Sequence, residues 1–119
     1  MSYVDGFVVP VPKRKLQAYW RMARTAGKVW REHGALEYIE SVADDVKPGK
    51  HTSFPQSVKL KSGETVVFAY IVYKSRAHRD RVNKKVMSDP RLAKMMSGQN
   101  MPFDGKRMIY GGFKVMLST

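Results

Sequence analysis

Three groups of residues in this 119-residue chain are of types that do chemistry. The first is His78, which with Val82 and Val86 falls at i, i+4 and i+8 and so shares the inward stripe of a predicted helix. Facing a sheet, that imidazole could line a pocket and act as general base or ligand. The alternative is a buried histidine satisfied by a backbone carbonyl. The second group consists of polar side chains that alternation places beside aromatics on strand faces. Asp5 shares a face with Tyr3 and Phe7, Glu40 with Tyr38, and Tyr70 with Phe68, while Tyr110 alternates with Gly112. If strand registers align these faces, two carboxylates and several phenols converge on one cavity. Burial there would raise a carboxyl pKa and let it accept a proton from a substrate; the alternative is a solvated mouth or interface hydrogen bonds. His78 and Asp5 are the candidate catalytic bases, and Trp20, Trp30, Tyr38, Tyr70 and Tyr110 the candidate pocket lining.

The third group is cationic. Residues 13–33 carry seven Lys/Arg and one acid, and residues 74–94 carry eight against two, which accounts for the whole net charge of +12. Arg21, Arg24, Arg79 and Arg81 are the candidate anion-binding residues, able with their neighbours to neutralise several phosphates. Few aromatics are interleaved for base stacking, and Tyr110-Gly111-Gly112-Phe113 resembles an RNA-recognition pattern only superficially, on the wrong strand. A solvated face is the simpler reading, with nucleic-acid binding the alternative.

Other chemistries are excluded by what is missing from the sequence. There is no cysteine, so no disulfide, thiolate zinc site or thiol nucleophile. The three histidines show no His-x-x-x-His spacing or carboxylate cluster, so no metal is expected. His33 reads as a helix C-terminal cap and His51 carries no motif. No P-loop, dinucleotide glycine fingerprint or Gly-x-Ser-x-Gly elbow occurs, and no cofactor is expected. No apolar window is long enough to span a bilayer, so a cytoplasmic protein without membrane contact is expected.

The elements that would position these residues follow from periodicity. Tyr3 to Val9 is aromatic and β-branched and is expected to stop at Pro10 and Pro12, with Pro12 in the first turn of a helix. Leu16, Trp20, Ala23, Gly27 and Trp30 make the apolar stripe of that helix, and Gly34 its left-handed cap. Leu36 to Asp44 reads as a strand, 45–64 as a long polar connection with a short extra strand at Ser57 to Lys61, and Thr65 to Tyr73 as the strongest strand. Ser75 caps a second helix running to about Met87, and Asp89-Pro90 starts a short third. A loop at 97–107 precedes a last strand, Met108 to Leu117.

One domain over 1–119 with the order β-α-β-β-α-β predicts an α+β, ferredoxin-like fold: a four-stranded antiparallel sheet with helices on one face. Val66, Phe68, Tyr70 and Val72 alternate with Val67, Ala69, Ile71 and Tyr73, so both faces of that strand are apolar. The face without helices needs a cover. Sheet-to-sheet homodimerisation into a dimeric α+β barrel supplies one.

The chain also resembles the YbaA-like family of uncharacterised bacterial proteins. The resemblance runs nearly end to end, through Tyr3-Val4-Asp5-Gly6-Phe7-Val8-Val9-Pro10-Val11-Pro12, Trp30-Arg31-Glu32-His33-Gly34-Ala35-Leu36-Glu37, Ala43-Asp44-Asp45-Val46-Lys47-Pro48-Gly49, Thr52-Ser53-Phe54-Pro55, Lys74-Ser75-Arg76-Ala77-His78-Arg79-Asp80 and Met101-Pro102-Phe103-Asp104-Gly105-Lys106-Arg107-Met108. It implies a dimeric α+β barrel and no assigned activity. A wider similarity, through Tyr73-Lys74-Ser75 and Ser88-Asp89-Pro90-Arg91, is to cofactor-free monooxygenases and haem-degrading enzymes with that barrel. The haem-degrading members expect a histidine in the following helix, and Leu92 to Met96 has none. The resulting expectation is a small aromatic or anionic ligand, bound or transformed in a barrel pocket with oxygenase-like chemistry in view. A purely structural dimeric module is a further alternative.

Overall fold

The computed structural model describes residues 2–96 and 101–119. It is an α+β structure built on one four-stranded antiparallel sheet. The strands are β1 (Tyr3–Pro12), β2 (Glu37–Val42), β3 (Glu64–Tyr73) and β4 (Ile109–Lys114), in the spatial order β2-β3-β1-β4. The helices are α1 (Leu16–Glu32), α2 (Phe54–Ser57), α3 (Arg76–Met87) and α4 (Pro90–Met96). No helix among the described residues is long and apolar enough to cross a membrane.

β1 runs through both prolines that were expected to end it. Its pairing with β4 stops at Val8 with Ile109, whereas its pairing with β3 continues through Pro10 with Val66 to Pro12 with Glu64. Beyond Val8 one edge of β1 is open, and a proline there interrupts no ladder on that side. The helix start moves accordingly. A single 3₁₀ turn at Lys13–Lys15 follows Pro12, and α1 begins at Leu16.

The buried stripe of α1 is Tyr19, Ala23, Ala26, Gly27 and Val29, with Trp20 and Trp30 only partly covered. The expected stripe is thus rotated by about one residue, because the large indoles sit at its margins and Tyr19 with the smaller residues takes the contact line. Gly34, at φ 119°, ends the helix in the conformation a side chain would resist. The Ser75 Oγ accepts from the His78 N–H at 3.1 Å and caps α3. Asp89 does the same for α4, its Oδ1 accepting from the Arg91 N–H at 2.9 Å.

The expected strand at Ser57 to Lys61 is absent. Ser53 caps a short helix instead, accepting from the Gln56 N–H at 3.2 Å, with Pro55 in its first turn. β2 and β4 are shorter than expected, and residues 97–100 of the expected 97–107 loop lie outside the described residues.

Alternation sorts the sheet residues onto two faces. Tyr3, Phe7 and Tyr38 with Ile71 and Tyr73 pack on Val29, Val82, Val86 and Leu92 of the helices. Val9, Val11 and Val67 pack on Tyr19 and Ala23 of α1. On the other face Val8 and Val66 meet Val58 and Leu60 just after α2. The rest of that face is open, with Phe68 44%, Ile109 44% and Phe113 65% exposed.

Candidate functional site

The helix–sheet interface forms a half-open cavity of about 130 Å³. Phe7, Val9, Ala69 and Ile71 form its sheet floor, and Tyr19, Met22, Ala26 and Trp30 its α1 wall. Leu92, Met95 and Met96 of α4 with Phe103 and Met108 close the far side. Four of the lining residues are methionines, whose unbranched side chains adapt to a guest.

One carboxylate borders this apolar space. Tyr19 Oη donates to Glu40 Oε1 at 2.6 Å, and Tyr38 Oη donates to Glu40 Oε2 at 2.8 Å. Burial raises the Glu40 pKa above its usual value, and the two phenol hydrogen bonds only partly oppose it. The same burial, reinforced by the Glu40 charge, holds both phenols well above theirs. Glu40 reaches this place because it pairs with Ala69 across β2 and β3, two residues from the Tyr38–Ile71 pair on the same face.

Tyr38 is seated with care. Its ring lies so close to α1 that a Cβ on Gly27 would stand 2.8 Å from Tyr38 Cδ1. Glycine inside a helix costs about 1 kcal/mol against alanine. Gly27 therefore trades helix stability for the approach of Tyr38.

The other carboxylate expected to converge on the cavity lies elsewhere. Asp5 accepts from Arg79 Nε at 3.1 Å, and Arg79 also meets Asp80 at 2.8 Å and stacks its guanidinium 5.0 Å from the Tyr3 ring centre. Gly112 lies under this group, where a side chain would collide with Arg79 and Tyr3. Asp5 and Glu40 share the helix-side face but do not converge on one cavity.

His78 stands at the first turn of α3 rather than in the cavity. Its Nδ1 accepts from the Lys74 N–H at 2.9 Å, its ring packs edge-on against Tyr73, and it contacts the Gly34 backbone. Burial, then the Lys74 and Arg81 charges, lower its pKa. That is a neutral clamp between the end of α1 and the start of α3. His33 holds the neighbouring joint, 2.8 Å from Asp89 Oδ2.

Of the aromatic candidates, Trp30 and Tyr38 line the cavity. Trp20 lines an outer groove between α1 and β2, and Tyr110 stacks on Phe7 at the sheet margin, 72% exposed. Tyr70 is on the opposite face, one residue out of phase with Ala69 and Ile71. Tyr19 and the methionines were missed by sequence reasoning. The spacing of Tyr19, Ala23, Ala26 and Trp30 carried a signal for Tyr19, overshadowed by the larger Trp20 beside it. Arg21, Arg24 and Arg81 are exposed, whereas Arg79 is committed to Asp5 and Asp80. No group of three or more metal-ligating side chains occurs among the described residues.

Fold and site thus define a small α+β protein with an apolar helix–sheet cavity and a single phenol-bound carboxylate at its wall. Residues 2–105 match the family described as "Protein of unknown function (DUF1428)", and the chain belongs to it. It is 51% identical over 117 residues to "Uncharacterized protein YbaA" of Escherichia coli strain K12, covering 98% of each chain. The Shigella flexneri protein of the same description matches equally, with 51% identity over 117 residues. Among solved structures, the de novo designed protein Foldit4 aligns over 97% of this chain and 99% of its own at 9% identity and a TM-score of 0.48, a likeness that carries no argument.

Proposed function

We propose that this protein is a ferredoxin-like α+β-barrel homodimer in which each protomer binds a small aromatic molecule in the helix–sheet cavity. The cavity carries this reading. A dry engineered cavity of about 150 Å³ lined by aliphatic and aromatic residues holds benzene, and this one is about 130 Å³ with comparable walls. Its carboxylate border disfavours anionic guests and selects neutral rings over the anionic ligands that the overall charge suggested. The open sheet face around Phe68, Ile109 and Phe113 supports the dimer, because a contiguous apolar patch is costly in a monomer.

Thermal melts with toluene test the cavity, since a ligand that binds only the folded state raises the midpoint with concentration. Wild type is expected to melt progressively higher, and Ala69→Leu, which fills the floor, to lose the response while remaining folded. No midpoint shift in wild type with any single-ring aromatic at millimolar levels would sink the reading. Sedimentation equilibrium tests the barrel: wild type is expected at twice the chain mass and Phe68→Asp at one. A wild-type monomer persisting at micromolar concentration overturns it.

A further inference from the structure

Glu40 has acceptor capacity that its tyrosines leave unused. An ionised carboxylate offers about four lone-pair sites, and Tyr19 and Tyr38 take one on each oxygen. No Lys, Arg or His makes a hydrogen bond or ion pair with Glu40 among the described residues, whereas Asp5, Asp89 and Glu64 are each bound by arginine. A buried carboxylate without a cation is expensive to keep charged, and its two phenol donors spread that charge without cancelling it.

Its position is equally specific. Glu40 and Tyr38 line the inner cavity and also an outer groove of about 640 Å³ bounded by Trp20, Arg24, Lys28 and Arg31. The carboxylate therefore stands between an apolar interior and a cationic, water-facing channel. Arg24 and Lys28 are exposed and have no side-chain partner among the described residues.

We propose that Glu40 is the hydrogen-bond acceptor for a hydroxyl carried on the ring of the cavity ligand, which makes phenols the ligand class. This inference rests on the cavity reading above. The ligand O–H donates to a Glu40 lone pair that the tyrosines leave free, and its proton stays on the ring oxygen as those of Tyr19 and Tyr38 stay on theirs. Tyr38 is a positioning residue, held by Gly27 so that its hydroxyl aims the carboxylate.

The test compares phenol with toluene, two rings of nearly equal size, by isothermal titration of wild type and Glu40→Gln. Wild type is expected to prefer phenol by about tenfold, the scale of one hydrogen bond to a charged acceptor. Glu40→Gln is expected to lose the preference and bind the two rings with nearly equal affinity. The Glu40 carboxyl carbon resonance in ¹³C-labelled protein should shift with phenol, as a new hydrogen bond reaches it, and stay in place with toluene. Equal affinities in wild type, a preference surviving in Glu40→Gln, or an unmoved carboxyl resonance with phenol would each overturn the assignment while toluene binding keeps the cavity reading intact. Absence of binding by both rings overturns the cavity reading and this inference with it.

Discussion

Asp5 and Glu40 both point from the sheet toward the helices, yet they are held in opposite ways. Asp5 meets Arg79 at 3.1 Å, so its charge is cancelled where it sits. Glu40 meets two phenols at 2.6 and 2.8 Å, which bond its charge without cancelling it. Around Asp5 the space is filled by Arg79, Tyr3 and the backbone at Gly112, whereas Glu40 borders a cavity. The lesson is that burial alone does not make a carboxylate reactive. The identity of its partners decides whether it fastens the fold or remains available as an acceptor to a guest.

Removing Asp5 should break this contrast most severely. Asp5→Ala leaves a largely covered Arg79 with the exposed Asp80 as its remaining ion-pair partner and is expected to cost about 2–3 kcal/mol in urea denaturation. A loss under about 0.5 kcal/mol, the range of ordinary surface changes, would show that the pair does not fasten β1 to α3. Next in size is Gly27→Ala. The added methyl would stand 2.8 Å from Tyr38 Cδ1, so the gain in helix propensity is outweighed. A net loss of about 1–2 kcal/mol is expected from such overpacking, measurable by the same titration; a gain in stability would mean that Tyr38 is not pressed onto α1.

Glu40→Gln should act in the opposite direction to Asp5→Ala. The folded pKa of Glu40 is raised from the ordinary 4.5, chiefly by burial. The folded state therefore binds the proton more tightly than the unfolded chain. Stability from this group is complete below pH 4.5 and is lost as pH rises through the higher folded value. Glu40→Gln should accordingly melt higher than wild type at about pH 7 and lose that advantage in acid. Melting curves across that range check the sign, and a variant that melts lower at neutral pH contradicts it. The smallest effect is expected from Tyr19→Phe and Tyr38→Phe. Each removes a hydrogen bond that lowers the Glu40 pKa, so each should raise it further. Titration of the labelled carboxyl carbon by NMR reads the change; a fall in either variant would reverse the assigned role of the phenols.

How far the sequence could be read depended on the length scale of the signal. The caps at Ser75, Asp89 and Gly34 were legible because each satisfies backbone groups within a few residues of itself. The prolines of β1 misled, because whether a proline ends a strand depends on where the neighbouring strand stops, and β4 stops at Ile109 opposite Val8. Trp20 and Trp30 misled by size: the helix lays its small residues against the sheet and leaves the indoles at the margin. Glu40 was recognised as a polar residue on an aromatic face, but its second phenol comes from Tyr19, twenty-one positions away on another element.

The sequence by itself determined the order of the four strands with α1, α3 and α4, the two apolar sides of β3 and the concentration of charge on the helices, because each follows from periodicity, local backbone chemistry or composition. Only the tertiary structure decided which carboxylate received an arginine and which received two tyrosines. That choice is made by strand register and helix rotation, where a shift of one residue exchanges a side chain facing the core for one facing away.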